Sequence, residues 1–216
     1  MVRPELDRAL FRRRVAERVH WLLGVARTWW WTAVTRLRFW YLGVPVGGGL
    51  KVTGPLRIHV APGARVSIGR NVVIRSGHGD NLVGAYVPTV IYVGRNGSLT
   101  IDDRAGISNS VLICYESIRI GAGSYVGGGC KVYDTDFHPL DLEGRLGASA
   151  AVRTAPVEVG DGAFIGGHSI VLKGARIGSE GIVGAGSLVS GEIPARQIWA
   201  GNPVRYLRSG EADHRG

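Results

Sequence analysis

The stretch VGDGAF IGGHSI VLKGAR IGSEGI VGAGSL V, residues 159–189, decides the architecture. Val159, Ile165, Val171, Ile177, Val183 and Val189 recur every six residues without a slip, and glycine follows four of them, at Gly160, Gly166, Gly178 and Gly184. Six is neither the period of a helix nor the alternation of a single strand. A six-residue strand–turn unit buries nothing alone. Stacked, such units set each aliphatic residue against its equivalent one coil away, and glycine supplies the backbone angles of the corners. Working outward, Ile120, Val126 and Val132 share the period, as do Ile101, Ile107 and Ile113. Less regular runs, Ile68 with Ile74 and Val87 with Val93 and Leu99, join them through phase shifts of one or two residues.

Composition agrees. The chain has 34 glycines among 216 residues, roughly 16% against a usual ~7%. No Gly-x-y period exists, which excludes a collagen helix. Two cysteines, Cys114 and Cys130, are too few for a disulfide or zinc-ribbon framework. The formal net charge is +9, unevenly placed. Residues 1–45 carry nine arginines and three acids, hence +6; the remaining 171 residues carry seventeen basic and fourteen acidic residues, hence +3. A nucleic-acid-binding body is therefore not indicated, whereas an anionic surface near the first segment is.

Residues 1–45 read as a helical segment of their own, followed by the repeat over 46–200 and a closing segment over 201–216. Five of the six tryptophans, Trp21, Trp29, Trp30, Trp31 and Trp40, fall in the first part. Its charged stretch is too long for a signal peptide, and no small-residue cleavage site follows. The apolar run Val19–Val34 is sixteen residues, about 24 Å as helix against a hydrocarbon core of ~30 Å, and Arg27 interrupts it. At helical spacing Arg13, His20, Arg27 and Arg38 form nearly one stripe, opposite Leu22, Ala26, Trp29, Ala33, Leu37 and Trp40; Trp31 and Arg36 break the pattern, so the amphipathicity is imperfect. Two readings stay open: a helix lying in an anionic membrane surface, or one packed on the body or a sister subunit.

The period stops after Val132 and resumes at Val159, leaving a loop over residues 133–156. A loop this long in a tight solenoid is more often functional than idle. It opens Tyr133-Asp134-Thr135-Asp136-Phe137-His138-Pro139-Leu140-Asp141. His138 is the one histidine of six inside it. An imidazole near neutrality suits proton removal from a weak nucleophile, and Pro139 holds the preceding backbone extended. Asp136, Asp134 or a backbone carbonyl could fix its tautomer.

Taken together, the hexads and this loop motif resemble the hexapeptide-repeat, or isoleucine-patch, acyltransferases over residues 46–208, and the loop resembles that of their sugar O-acetyltransferases. The resemblance implies an all-β body: a left-handed parallel β-helix, here with an N-terminal helical segment and a short C-terminal helix. It implies His138 as general base with Asp136 as its partner, and acetyl-CoA as donor, with no metal. Gly167, Ala185, Ser190, Arg205 and Arg208 match positions lining the cofactor cleft, and Asn109 and Glu116 fall near positions that contact the sugar. Ser190-Gly191 stand where many relatives have threonine-lysine, so one phosphate contact is missing or comes from Arg196. Arg205 and Arg208, placed after a helix cap at Asn202-Pro203, would share a face. Trp199 either stacks on adenine or closes the solenoid.

The resulting expectation is a homotrimeric acetyltransferase acting on a sugar hydroxyl, in envelope or exopolysaccharide synthesis. It would be cytoplasmic or peripheral on the inner face of the cytoplasmic membrane, with a lipid-linked saccharide as acceptor. Transfer to the amine of an amino sugar and a non-enzymatic trimeric scaffold are the alternatives. A related β-helical carbonic anhydrase would need a close histidine pair, which is missing.

Overall fold

The computed structural model describes residues 4–77, 87–147 and 152–210, with side chains from residue 10 onward. A 38-residue helix, α1 (Pro4–Tyr41), precedes six coils of left-handed parallel β-helix. Coil one is β1 (Lys51–Val52), β2 (Arg57–Val60) and β3 (Arg65–Ile68). Coil two is β4 (Val73–Arg75), β5 (Val90–Val93) and β6 (Ser98–Ile101). Coil three is β7 (Gly106–Ser108), β8 (Val111–Cys114) and β9 (Ser117–Ile120). Coil four is β10 (Tyr125–Val126), β11 (Lys131–Tyr133) and, after a short helix α2 (Leu142–Leu146), β12 (Val157–Val159). Coil five is β13 (Phe164–Ile165), β14 (Ile170–Val171) and β15 (Arg176–Ile177). Coil six is β16 (Ile182–Val183), β17 (Leu188–Val189) and β18 (Glu192–Ile193). Two longer strands, β19 (Gln197–Ala200) and β20 (Arg205–Ser209), finish the fold.

Every third strand up to β19 stacks in parallel on its equivalent, which gives three sheets, with β20 added antiparallel at the end of one. Sheet I holds β1, β4, β7, β10, β13, β16, β19 and β20; sheet II holds β2, β5, β8, β11, β14 and β17; sheet III holds β3, β6, β9, β12, β15 and β18. All six residues of the 159–189 hexads are buried. Columns such as Ile107–Val126–Ile165–Val183 in sheet I run unbroken through the interior.

The corners between sheets III and I repeat one device. Asn71, Arg104, Gly123, Gly162, Glu180 and Arg196 stack there, all with φ between 56° and 67°. That left-handed turn is costly for a residue with a Cβ, and only its repetition in a fixed scaffold sustains it. Glycine is needed where coils touch: a Cβ on Gly160 would lie 2.6 Å from the Ser179 amide nitrogen.

The hexad register fails in two places. Ile113 faces outward, and Leu112 and Cys114 take the interior. The corner holding Asn109 and Ser110 is one residue shorter than those below it: Ile107 to Leu112 is five steps, where Val126 to Val132 is six. Strand alternation then inverts which residues point in. Val87, assigned to the repeat, is exposed, and Ile91 carries the interior position in that coil. The two cysteines are buried, and burial pushes both thiols up, Cys114 to about 12 and Cys130 to about 11; they are small core residues rather than nucleophiles.

The segment after Asn202 is a strand and not the expected helix. β20 pairs antiparallel with β19, whose outer edge would otherwise leave a row of backbone groups unpaired. At the other end α1 closes coil one. Phe39 is buried in the end of the core. The Thr32 hydroxyl accepts from the Val52 amide at 2.9 Å, and Arg36 and Arg38 donate to the carbonyls of Gly47 and Leu56, both at 2.8 Å.

Candidate functional site

The loop over 133–156 leaves coil four at the corner between sheets II and III. Its two limbs are zipped at the base. Thr135 bridges Thr154 antiparallel, the Asp136 amide donates to the Arg153 carbonyl at 3.0 Å, and the Ala155 amide donates to Asp134 at 3.0 Å. Asp134 anchors the outgoing limb. It is fully buried, and its carboxylate accepts from the Tyr115 amide at 2.7 Å and the Glu116 amide at 2.8 Å, one coil back. Burial raises its pKa above the ordinary carboxylate value, against the opposing pull of those amides.

Beyond this anchor the chain turns at Phe137, whose φ of +64° is unusual for a bulky residue. The Phe137 amide donates to Thr135 Oγ1 at 3.2 Å, and its ring meets Tyr133 edge-on with centroids 5.0 Å apart. The turn presents His138 on the surface, over a groove of about 330 Å³ lined by Asp136, His138, Pro139, Leu140, Asp141 and Arg153. Farther along, Asp141 caps α2 by accepting from the Gly144 amide at 2.6 Å. The left-handed turn at Phe137 and the Asp141 cap of α2 bracket His138 along the chain.

Asp136 has a partner that sequence reasoning missed. Lys173 Nζ lies 3.3 Å from Asp136 Oδ1, reaching from the same corner one coil further on. Among the described residues, Asp136 Oδ2 is buried without a hydrogen-bond partner and no hydrogen bond joins Asp136 to His138. The signal for Lys173 was present: Val132 stacks on Val171, so the residues after Val171 had to lie under the loop.

Glu116 is exposed at this corner, one coil from His138. Asn109 is not brought to it. It lies at the corner between sheets I and II, fully buried, and its amide donates to the carbonyls of Gly77 at 3.0 Å and Val87 at 2.8 Å.

The residues matched to the cofactor divide. Gly167 and Ala185 stack on the corner between sheets I and II, where the Gly186 amide donates to the Gly167 carbonyl at 2.9 Å. Ser190 lies two coils beyond the loop, on the loop's own corner. Arg205 pairs with Ala200 and Arg208 with Ile198 on β20. Three apart in a regular strand they would face opposite ways, but the register shifts between Ile198 and Trp199, and Leu207 is the extra residue. Both arginines therefore point outward on one face, with Tyr206 between them turned toward Trp199, ring centroids 6.0 Å apart. The shared face survives, produced by a bulge instead of a helix. Trp199 packs partly buried against the core, and its Nε1 donates to Gln197 at 2.9 Å, so it closes the solenoid. Arg196 is paired with Glu180 at 3.3 Å. His78 and His214 lie outside the described residues.

No family model matches the chain. A Saccharomyces cerevisiae protein bearing an acetyltransferase name is 35% identical over 101 residues, 46% of this chain and 50% of that protein. Galactoside O-acetyltransferase of Escherichia coli is 34% identical over 71 residues, 33% of this chain and 34% of the enzyme. The chain spans about half the length of the first curated relatives it matches. Among solved structures, AntD, an N-acyltransferase from Bacillus cereus in complex with dTDP and 3-hydroxybutyryl-CoA, superposes with a TM-score of 0.64 at 22% identity, over 82% of this chain and 88% of that one. A mutant of AntD bound to dTDP-4-amino-4,6-dideoxyglucose and coenzyme A gives the same TM-score over 82% of this chain and 89% of the mutant's. At that identity the likeness establishes a shared fold.

Proposed function

We propose that the protein transfers an acyl group from acyl-CoA to a sugar, with His138 as general base. The observation that carries this is the arm over 133–156, zipped and anchored so that its one histidine is held out over a groove at a corner of the solenoid. As the acceptor attacks the thioester carbonyl, His138 takes its proton; as the tetrahedral intermediate collapses, the imidazolium returns that proton to the departing CoA thiolate. Asp136 Oδ2 is assigned as acceptor for the second imidazole N–H, with Lys173 holding the other carboxylate oxygen. Glu116 is assigned to sugar hydroxyls. Asn109 supports the neighbouring turn.

The amine of an amino sugar is the better supported acceptor group. A solved N-acyltransferase that binds an amino-sugar nucleotide shares the fold over 82% of this chain, which supports an amine acceptor. A sugar hydroxyl is the second reading, supported by that curated relative and by the loop motif around His138.

Gly167, Ala185, Ser190 and the outward pair Arg205 and Arg208 are assigned to CoA, the arginines to its phosphates. Gly167 and Ala185 sit on one corner of sheet II and His138 on the other. One face of the prism separates them within a chain, so a neighbouring copy completes the site, and a homotrimer is the assembly proposed. The test is thiol release from acetyl-CoA against matched pairs of amino-sugar and hydroxyl-sugar nucleotides. His138→Ala should lose about 10²–10⁴-fold in rate while acetyl-CoA still raises the melting temperature. Equal turnover in the variant would overturn the assignment.

A further inference from the structure

The helix that closes coil one meets the body with a mixed polar and apolar side, Trp31 and Phe39 packing against the core. Thr28, Thr32, Thr35 and Phe39 lie on the side that meets the coil, with Arg36 and Arg38 reaching to its edge carbonyls. The opposite side is apolar for its whole described length. Phe11, Val15, Val19, Leu22, Trp29, Leu37 and Trp40 follow one another along it, with Ala26 and Ala33 filling the gaps so that each step is three or four residues; Trp29, at the stripe's edge, also borders the groove between α1 and coil one. These side chains are exposed: 58% for Leu22, 75% for Trp29 and 76% for Trp40. An ordinary surface helix turns a polar side outward; α1 packs Trp31 and Phe39 on the body and carries a second apolar stripe outward.

We infer that this stripe docks on an anionic lipid surface. Three observations choose lipid over a second copy of the helix. The described helix carries eight arginines against three acids, so two copies laid stripe to stripe would bring +5 against +5, whereas anionic headgroups neutralise that charge. Arg12 and Arg18 border the stripe, at the level headgroups would occupy. Trp29, Trp30, Trp40 and Tyr41, all exposed, are the residue types that favour the membrane–water interface. No helix among the described residues is long and apolar enough to cross a membrane, so α1 would lie along the surface.

Flotation of the full chain with phosphatidylcholine vesicles, with and without phosphatidylglycerol, tests this. We expect binding that is at least about tenfold tighter with the anionic lipid, is weakened by salt, and brings a blue shift in tryptophan emission. Arg12→Gln and Arg18→Gln should each weaken it about fivefold. Leu22→Gln/Trp29→Ser/Leu37→Gln should abolish it while the acetyl-CoA thermal shift is retained, which separates this inference from the catalytic one. His138→Ala should float like the wild type. No binding to either vesicle, or binding unaffected by the stripe substitutions, overturns the inference. So does sedimentation showing that the stripe substitutions shrink the lipid-free assembly, since the stripe would then be a contact between copies.

Discussion

Sheets II and III are built on the same inner plan and differ on the outside. Inward, both offer aliphatic columns: Ile91, Leu112, Val132, Val171 and Val189 on sheet II; Ile101, Ile120, Val159, Ile177 and Ile193 on sheet III. Outward, sheet III shows Ser98, Thr100, Ser117, Arg119, Glu158 and Arg176. Sheet II shows Val90, Tyr92, Val111, Ile113, Tyr133 and Ile170, with Arg57, His59 and Lys131 among them. The inner half of each strand specifies the solenoid, and the outer half specifies what the solenoid meets. Water suits sheet III, where Arg119 bridges Asp102 at 2.6 Å and Asp161 at 2.8 Å across three coils. Sheet II, mostly apolar around a single exposed lysine, Lys131, between the corner with His138 and the corner with Gly167, is the face a neighbouring copy would cover.

The sharpest way to break this contrast is at the corners. His138→Ala, on an edge of sheet II, should lower kcat/KM by about 10²–10⁴-fold with no change in Tm, while Asp103→Ala, on the remote corner of sheet III, should leave turnover intact. Assays of both on one substrate decide it. Inside, the sheets should be equivalent: Leu112→Ala and Ile118→Ala should each remove about 2–5 kcal/mol in denaturant titrations. A large difference between them would show that the interior is not one continuous core. On the outer faces the contrast should return. Ile113→Asp should weaken assembly by about ten- to a hundredfold in sedimentation equilibrium, and Thr100→Asp should not. The smallest effect belongs to the exposed ion pairs of sheet III. Arg119 holds the Asp161 carboxyl below its ordinary value of 3.8, so the pair's contribution is present above that pH and fades as pH falls through the lowered value. Asp161→Asn should therefore cost less than about 1 kcal/mol at neutral pH, and nothing in strong acid.

What could be read from the chain follows physical range. The hexads from Val159 to Val189 are local and regular, so their burial was legible residue by residue. Ile113 was misplaced because a corner one residue short, with Asn109 in the left-handed region at φ 41°, leaves no mark in composition. The loop with His138 was legible as a break in a period. Its anchor was not, since Asp134 is held by backbone amides of Tyr115 and Glu116 that carry no side-chain signature. Lys173 is far from Asp136 along the chain and one coil away in space, so only the stacking of Val132 on Val171, and no local motif, points to it. Local capping rules read Asn202-Pro203 as a helix start, but an unpaired sheet edge at β19 outweighed them.

Counted in coils, the solenoid is also a ruler. The coil that α1 closes is the first and the loop with His138 leaves the fourth, so three rungs of ~4.8 Å, roughly 14 Å, separate them. A further ~10 Å comes from the thickness of the helix. With α1 lying flat on a surface, the imidazole stands at a fixed height set by repeat number alone, and that height can change only in whole rungs. An acceptor tethered in the same surface must be long enough to climb to it, and a freely diffusing one need not be.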